Sequence, residues 1–213
     1  MALLFLNQLI HMIYYVFVLI FQLLQDIFSM DEKMKQTEPD MGLTVTEAQT
    51  PAEVAAVANL MRDMVDWLFV RHHAYGDLVS RYFDPVEFSR ELNALPGCFS
   101  SPHGMLLIAK VEQKAVGCVG LRRLDHTACE MKRMFVNPRF HGKGAGRALA
   151  NRLIQGARDL GYDRMRLDTG PKQFEARSLY ENLGFREIAP YYEVTCEMGS
   201  WLTFMEIDLQ KNS

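Results

Sequence analysis

Apolar positions along this chain follow two rhythms. Between residues 51 and 70, Val54, Val57, Leu60, Met61, Met64, Val65 and Leu68 recur at three- and four-residue spacings, which is one face of a helix. Thr50 stands where a cap belongs, Pro51 takes the first helical position and Glu53 lies in the first turn. A shorter rhythm begins at residue 105. Residues 105–111 (MLLIAKV), 115–124 (AVGCVGLRRL) and 128–136 read as three strands, the first two joined at Glu112-Gln113-Lys114. Strands joined by so short a turn are antiparallel. Residues 145–160 return to the helical spacing and end at Gly161. Residues 164–169 (RMRLDT) alternate as a strand, parallel to the third because a helix crosses between them. A helix over 172–182 with Gly184 in its cap and a strand pair around 186–191 and 201–209 complete the run. Upstream, 43–46 reads as a strand, 71–83 as irregular, and Asp84-Pro85 opens a helix to about residue 95 that Pro96-Gly97 ends. The sum is an α+β fold: a mixed, mostly antiparallel sheet flanked by helices in three layers.

Residues 1–29 break this pattern. They are strongly apolar, with no charge before Asp26, and long enough to span a bilayer. A basic n-region and a small-residue cleavage site are both missing, so the segment is a poor secretory signal. Asn7, Gln8, His11, Gln22 and Gln25 blemish it as a membrane helix. Three readings stay open: a spurious extension upstream of a true start at Met30, Met34 or Met41, a membrane anchor, or a partner-binding helix. An anchor would hold the rest of the chain on the cytosolic side, and Lys33 and Lys35 agree with that orientation. Residues 30–40 read as a polar linker and 41–213 as one domain.

A net charge of −3 gives no global case for nucleic-acid binding. Cys98, Cys118, Cys129 and Cys196 form no C-x-x-C pair and read as reduced core residues, which places the protein in the cytoplasm. The adjacent His72 and His73 point apart, with no cysteine or carboxylate spaced to complete a metal site; both read as solvated, and no metal is expected.

The chemistry concentrates at MKRMFVNPRFHGKGAGRALA, residues 131–150. A strand ends at Asn137-Pro138, Gly142, Gly144 and Gly146 follow at alternate positions, and a helix begins near Ala145. Glycines there bring backbone N–H groups close to a ligand, and the helix N-terminus adds a partial positive charge of roughly +0.5. Arg139, Lys143 and Arg147 surround the turn, making a site for phosphate or pyrophosphate. The run is neither G-x-x-x-x-G-K-[ST] nor G-x-G-x-x-G. It fits [RQ]-x-x-G-x-[GA] as Arg139-Phe140-His141-Gly142-Lys143-Gly144, and so resembles the acetyl-CoA pyrophosphate motif of the GNAT N-acetyltransferases. A second segment, residues 173–185 (QFEARSLYENLGF), looks like that family's N-x-x-A-x-x-L-Y-x-x-x-G-F, with Gln173 in place of the usual Asn.

The resemblance covers most of 41–209 and implies a GNAT fold and an acetyl-CoA site. That site takes in Met134, Phe135 and Val136 of the third strand, Arg139, His141 through Arg147 with Ala145 among them, and Gln173, Ala176 and Tyr180. It implies direct transfer from acetyl-CoA to a primary amine, with Glu130 as general base, directly or through water, and Tyr180 as the acid that protonates the leaving thiolate. Asp125 and His126 are further candidates for the base. The backbone N–H of Phe135 or Val136 faces the developing oxyanion. Arg122 and Arg133, with Tyr191 on a nearby loop, are the expected acceptor contacts; arginines suggest a small, amino-acid-like molecule. A protein N-terminal or lysine acetyltransferase and a non-catalytic acyl-CoA sensor remain as alternatives, and a homodimer is left open.

Overall fold

The computed structural model describes residues 42–210; the apolar segment 1–29 and the linker 30–40 lie outside the described residues. Seven strands form one sheet: β1 (Thr44–Glu47), β2 (Met105–Val111), β3 (Lys114–Arg123), β4 (Ala128–Val136), β5 (Arg164–Thr169), β6 (Arg186–Ile188) and β7 (Thr203–Asp208). Their spatial order is β1-β2-β3-β4-β5-β7-β6, with β4 and β5 parallel and every other pair antiparallel. Among the described residues six α-helices accompany them: α1 (Pro51–Arg71), α2 (Gly76–Tyr82), α3 (Pro85–Asn93), α4 (Ala145–Asp159), α5 (Phe174–Asn182) and α6 (Cys196–Trp201).

The start of α1 follows from its sequence. Thr50 Oγ1 accepts from the Glu53 N–H at 3.2 Å, while the Glu53 carboxylate accepts from the Thr50 N–H at 3.0 Å, so two orphan donors are satisfied reciprocally. The apolar stripe of α1 (Val57, Leu60, Met61, Met64, Leu68) packs with Leu106, Ile108, Cys118 and Phe135. Neighbouring strand positions look the other way, where Met105 meets Gly156 and Gly117 meets Leu149, both of α4. Helices α1 and α4 therefore sandwich the sheet.

Two local features open it. β4 and β5 are paired only from Ala128–Arg164 to Glu130–Arg166; beyond that β4 runs on to Val136 and β5 to Thr169 without pairing, and the strands part. The β3–β4 register jumps from Cys118–Phe135 to Gly120–Lys132, so Arg133 and Met134 together oppose Val119. This is a bulge, with Arg133 at φ +58°. Gly117 is part of the same device: a Cβ there would lie 2.8 Å from the Phe135 carbonyl oxygen, a backbone atom that cannot give way. Gly117→Ala is expected to cost about 2 kcal/mol, read as a lower urea midpoint at unchanged slope; an unmoved midpoint would mean that β3 and β4 separate here without strain.

Five expectations need correction. Residues 76–82 and 196–201 are helical, so the stretch 71–83 is more regular than expected and Trp201 ends a helix instead of starting a strand. The sixth strand stops at Ile188. His72 is fully buried, packed at 5.2 Å against the Trp201 ring under Gly170. Only Cys118 and Cys129 are core cysteines; Cys98 and Cys196 are exposed. Among the described residues no helix is long and apolar enough to cross a membrane.

Candidate active site

The end of β4, past its last pair with β5, borders a cavity of about 360 Å³. Its walls are built by three elements that the sequence brings together in order. The end of β4 supplies Met134, Phe135 and Val136; the glycine turn and the start of α4 supply His141, Gly142, Gly144, Ala145, Gly146 and Arg147; α5 and the residue before it supply Gln173, Glu175, Ala176 and Leu179. Gly142 (φ +73°) and Gly144 (φ +81°) both adopt the left-handed conformation, and no side chain caps α4. Its first N–H groups are thus left to whatever fills the cavity.

The turn is braced from behind. His141 Nε2 lies 2.7 Å from the Val136 carbonyl oxygen, and the His141 ring meets the Trp67 ring edge-on at 6.2 Å. Trp67 of α1 also lines this cavity, beneath the Arg71 guanidinium at 4.8 Å. Arg71 in turn reaches α5, donating to the Lys172 carbonyl and to Glu175, each at 2.5 Å. Arg139 and Lys143 do not line the cavity. The Lys143 ammonium sits over the Phe140 ring at 5.3 Å. Gln173 spends its side-chain carbonyl on the Gly170 N–H at 2.6 Å, which leaves its amide donors for a ligand.

A second, smaller cavity of about 60 Å³ adjoins the first, since Met134 and Gln173 line both. Tyr180 lines it, buried, with Lys132, Asp168, Tyr82 and Trp201. Burial, with the Asp168 charge beside it, pushes the Tyr180 phenol well above its ordinary value, so it is a neutral donor across the physiological range. Asp168 accepts from Lys132 Nζ at 2.7 Å, from the Tyr192 hydroxyl at 3.1 Å and from the Tyr82 hydroxyl. Burial works against its charged form, but the Lys132 ammonium and these hydrogen bonds outweigh it and hold the carboxyl below the usual range.

The remaining expected residues are engaged elsewhere. Glu130 is fully buried and lines neither cavity; Arg122 Nε donates to it at 2.5 Å and the Tyr191 hydroxyl at 2.6 Å. Arg133 lines the second cavity but spends its donors on Glu91, at 2.8 and 2.5 Å, with its guanidinium over the Phe83 ring. Arg122, Arg133 and Tyr191 are therefore partners of two buried or half-buried carboxylates, with the Arg122 side chain still 40% exposed. Asp125 caps the β3–β4 turn, accepting from the Thr127 and Ala128 N–H groups, and His126 pairs with Arg123 there. The residues that sequence reasoning passed over are Lys132, Asp168 and Tyr82. Lys132 and Asp168 read as solvent-facing polar positions of alternating strands until β4 and β5 are seen to part, and Tyr82 lies in the stretch expected to be irregular.

Residues 60–185 match the model of the acetyltransferase (GNAT) family. An uncharacterized N-acetyltransferase of Schizosaccharomyces pombe is 38% identical over 96 residues, covering 44% of this chain and 59% of that protein, so the match spans about three fifths of the relative. Among solved structures, an acetyltransferase from Streptococcus agalactiae superposes with a TM-score of 0.60 at 21% identity, over 78% of this chain and 98% of that one. The PaiA N-acetyltransferase of Thermoplasma acidophilum, solved in complex with coenzyme A, gives 0.59 at 14% identity over the same shares. At such identities the likeness is one of fold.

Proposed function

Because this chain belongs to the GNAT acetyltransferase family, we propose that it transfers the acetyl group of acetyl-CoA to the primary amine of a small molecule. The observation that carries this reading is the pair of joined cavities, the larger ending on the uncapped, glycine-rich start of α4 and the smaller holding Tyr180. The pyrophosphate lies on the N–H groups of residues 142–147, with the Arg147 side chain beside it. The pantetheine arm runs along the unpaired edge of β4 towards Met134, where the thioester meets the amine. A protonated amine carries no lone pair, so it first gives up one proton to water; its second, lost once the N–C bond has formed, restores the Tyr180 hydroxyl. Its nitrogen then attacks the carbonyl: the N–C bond forms, the oxyanion is held by the Phe135 or Val136 N–H, and the C–S bond breaks. The departing thiolate takes the Tyr180 proton. Glu130 contributes through Lys132, whose Nζ lies 3.5 Å from its carboxylate and bridges it to Asp168 at the cavity. The volume of the second cavity supports a compact acceptor over an extended peptide.

Steady release of the CoA thiol, with acetyl-CoA and a panel of amines, tests this reading; acetyl-CoA that binds yet is consumed with none of them would point to a sensor instead. Arg147 is exposed and has no carboxylate partner among the described residues, so its charge is available to phosphate. Arg147→Ala is expected to weaken acetyl-CoA about tenfold, roughly 1.4 kcal/mol, while leaving pantetheine, which lacks the pyrophosphate, unaffected. Equal loss for both in parallel titrations would contradict the phosphate assignment.

A further inference from the structure

The charge arrangement of the second cavity carries more than a place for an amine. Lys132 of β4 and Asp168 of β5 face each other just past the last backbone pair, Nζ to Oδ2 at 2.7 Å, with side chains 11% and 2% exposed. Met64, Leu68, Phe83 and Leu202 make the rest of the lining largely apolar. The nearby charges are already matched, Arg133 by Glu91 and Arg122 by Glu130. The cavity therefore offers one buried cation and one buried anion, adjacent and balanced.

That balance selects a ligand class. A lone ammonium ion would gain Asp168 but be repelled by Lys132, and a lone carboxylate the reverse. Either way one buried charge is left uncompensated, which is the costly case. A zwitterion inserts without that penalty, its ammonium on Asp168 and its carboxylate on Lys132. The bonding capacity is there: an ionised carboxylate accepts about four hydrogen bonds, and Asp168 receives them from Lys132, Tyr82 and Tyr192. Lys132 Nζ donates to Asp168 and Tyr82 and stands 3.5 Å from Glu130, outside a good hydrogen bond. Since the two protein charges are adjacent, those of the ligand must be adjacent too, as on an α-carbon.

Resting on the acetyltransferase reading above, we propose that the acceptor is a compact α-amino acid, bound as a zwitterion between Lys132 and Asp168 with its α-amine beside Tyr180. This moves the carboxylate contact from the expected Arg122 and Arg133 to Lys132. It also makes Lys132 the specificity-determining residue of the acceptor site.

The test is CoA-thiol release by the full-length chain with the proteinogenic α-amino acids, each beside its decarboxylated amine and its amide. At least one amino acid should exceed both of its analogues in kcat/KM by about 100-fold or more, because an analogue without the carboxylate leaves Lys132 unpaired. Lys132→Met should raise KM for that amino acid roughly 50-fold and erase its advantage, while Lys132→Arg retains most of it. Should Lys132→Met fail to fold, the wild-type ratios alone decide. Amines and amides turned over as well as the amino acids would overturn the proposal while sparing the acetyltransferase reading. Bound acetyl-CoA with no turnover of any amine would overturn that reading, and this inference with it.

Discussion

A Gly144→Val chain is expected to fold and to lose its affinity for acetyl-CoA. Gly144 caps α4 at φ +81°, ψ −12°, a left-handed conformation that a β-branched residue scarcely adopts. Nothing lies within 4 Å of where its Cβ would be, so the effect comes from the backbone and not from a clash. To accommodate valine the turn must flip or pay strain of about 1–3 kcal/mol, and flipping swings the N–H groups of the first helical turn out of the cavity. Losing two hydrogen bonds to a charged group, at about 1.5–3 kcal/mol each, then costs about 4 kcal/mol of binding. That is a loss in affinity of about a thousandfold. The core of α4 (Leu149, Ala150, Leu153) lies further along the helix, so circular dichroism should show the native sheet and helix content. Binding within tenfold of the wild type would remove this turn from the cofactor site.

Tyr180→Phe is expected to lower kcat by about a thousandfold, within the 10²–10⁴ range of a lost general acid, while the acetyl-CoA dissociation constant stays within about twofold. The two effects separate because Tyr180 lines the small cavity and not the large one. Its ring packs against Phe185 at 5.7 Å, and phenylalanine keeps that contact. The pH profile supplies an independent reading. Burial and the Asp168 charge raise the phenol's pKa, so the donor form persists past the ordinary tyrosine value of about 10. The wild-type rate should therefore show no alkaline fall due to this group in the neutral to mildly basic range. A Tyr180→Phe enzyme at full rate would take the hydroxyl out of the mechanism.

Much of the wall of the larger cavity was legible in the sequence because its signals are local. The glycines at 142, 144 and 146, the proline that stops β4 and the apolar spacing of α4 all act within a few residues, and the structure gathers them into one wall. The antiparallel β2–β3 pairing and the parallel β4–β5 pairing followed for the same reason, from a short turn and one crossover helix, whereas the placing of β7 between β5 and β6 did not. What the sequence hid depends on partners far apart in the chain. Arg122 and Arg133 read as free guanidinium groups until Glu130 and Glu91 are found beside them; Glu91 comes from α3, a helix 42 residues upstream of Arg133. Asp168 looks like one polar position of an alternating strand, and only the loss of pairing after Glu130–Arg166 turns it inward to Lys132. Helices as short as α2 and α6 carry too few turns for a periodic stripe to show, so both went unseen. The bulge at Arg133 left no mark either, because the register jump belongs to the pairing with β3 and not to the composition of β4.

Every proposed step requires acetyl-CoA in the cavity at the end of β4. Calorimetric titration of the full-length chain with acetyl-CoA tests that most directly, because it requires no knowledge of the acceptor. One site with a dissociation constant of about a micromolar, roughly −8 kcal/mol, is the predicted result. A folded chain that takes up no heat at concentrations a hundredfold higher would contradict it, leaving the glycine turn as a structural feature and the cleft without its cofactor.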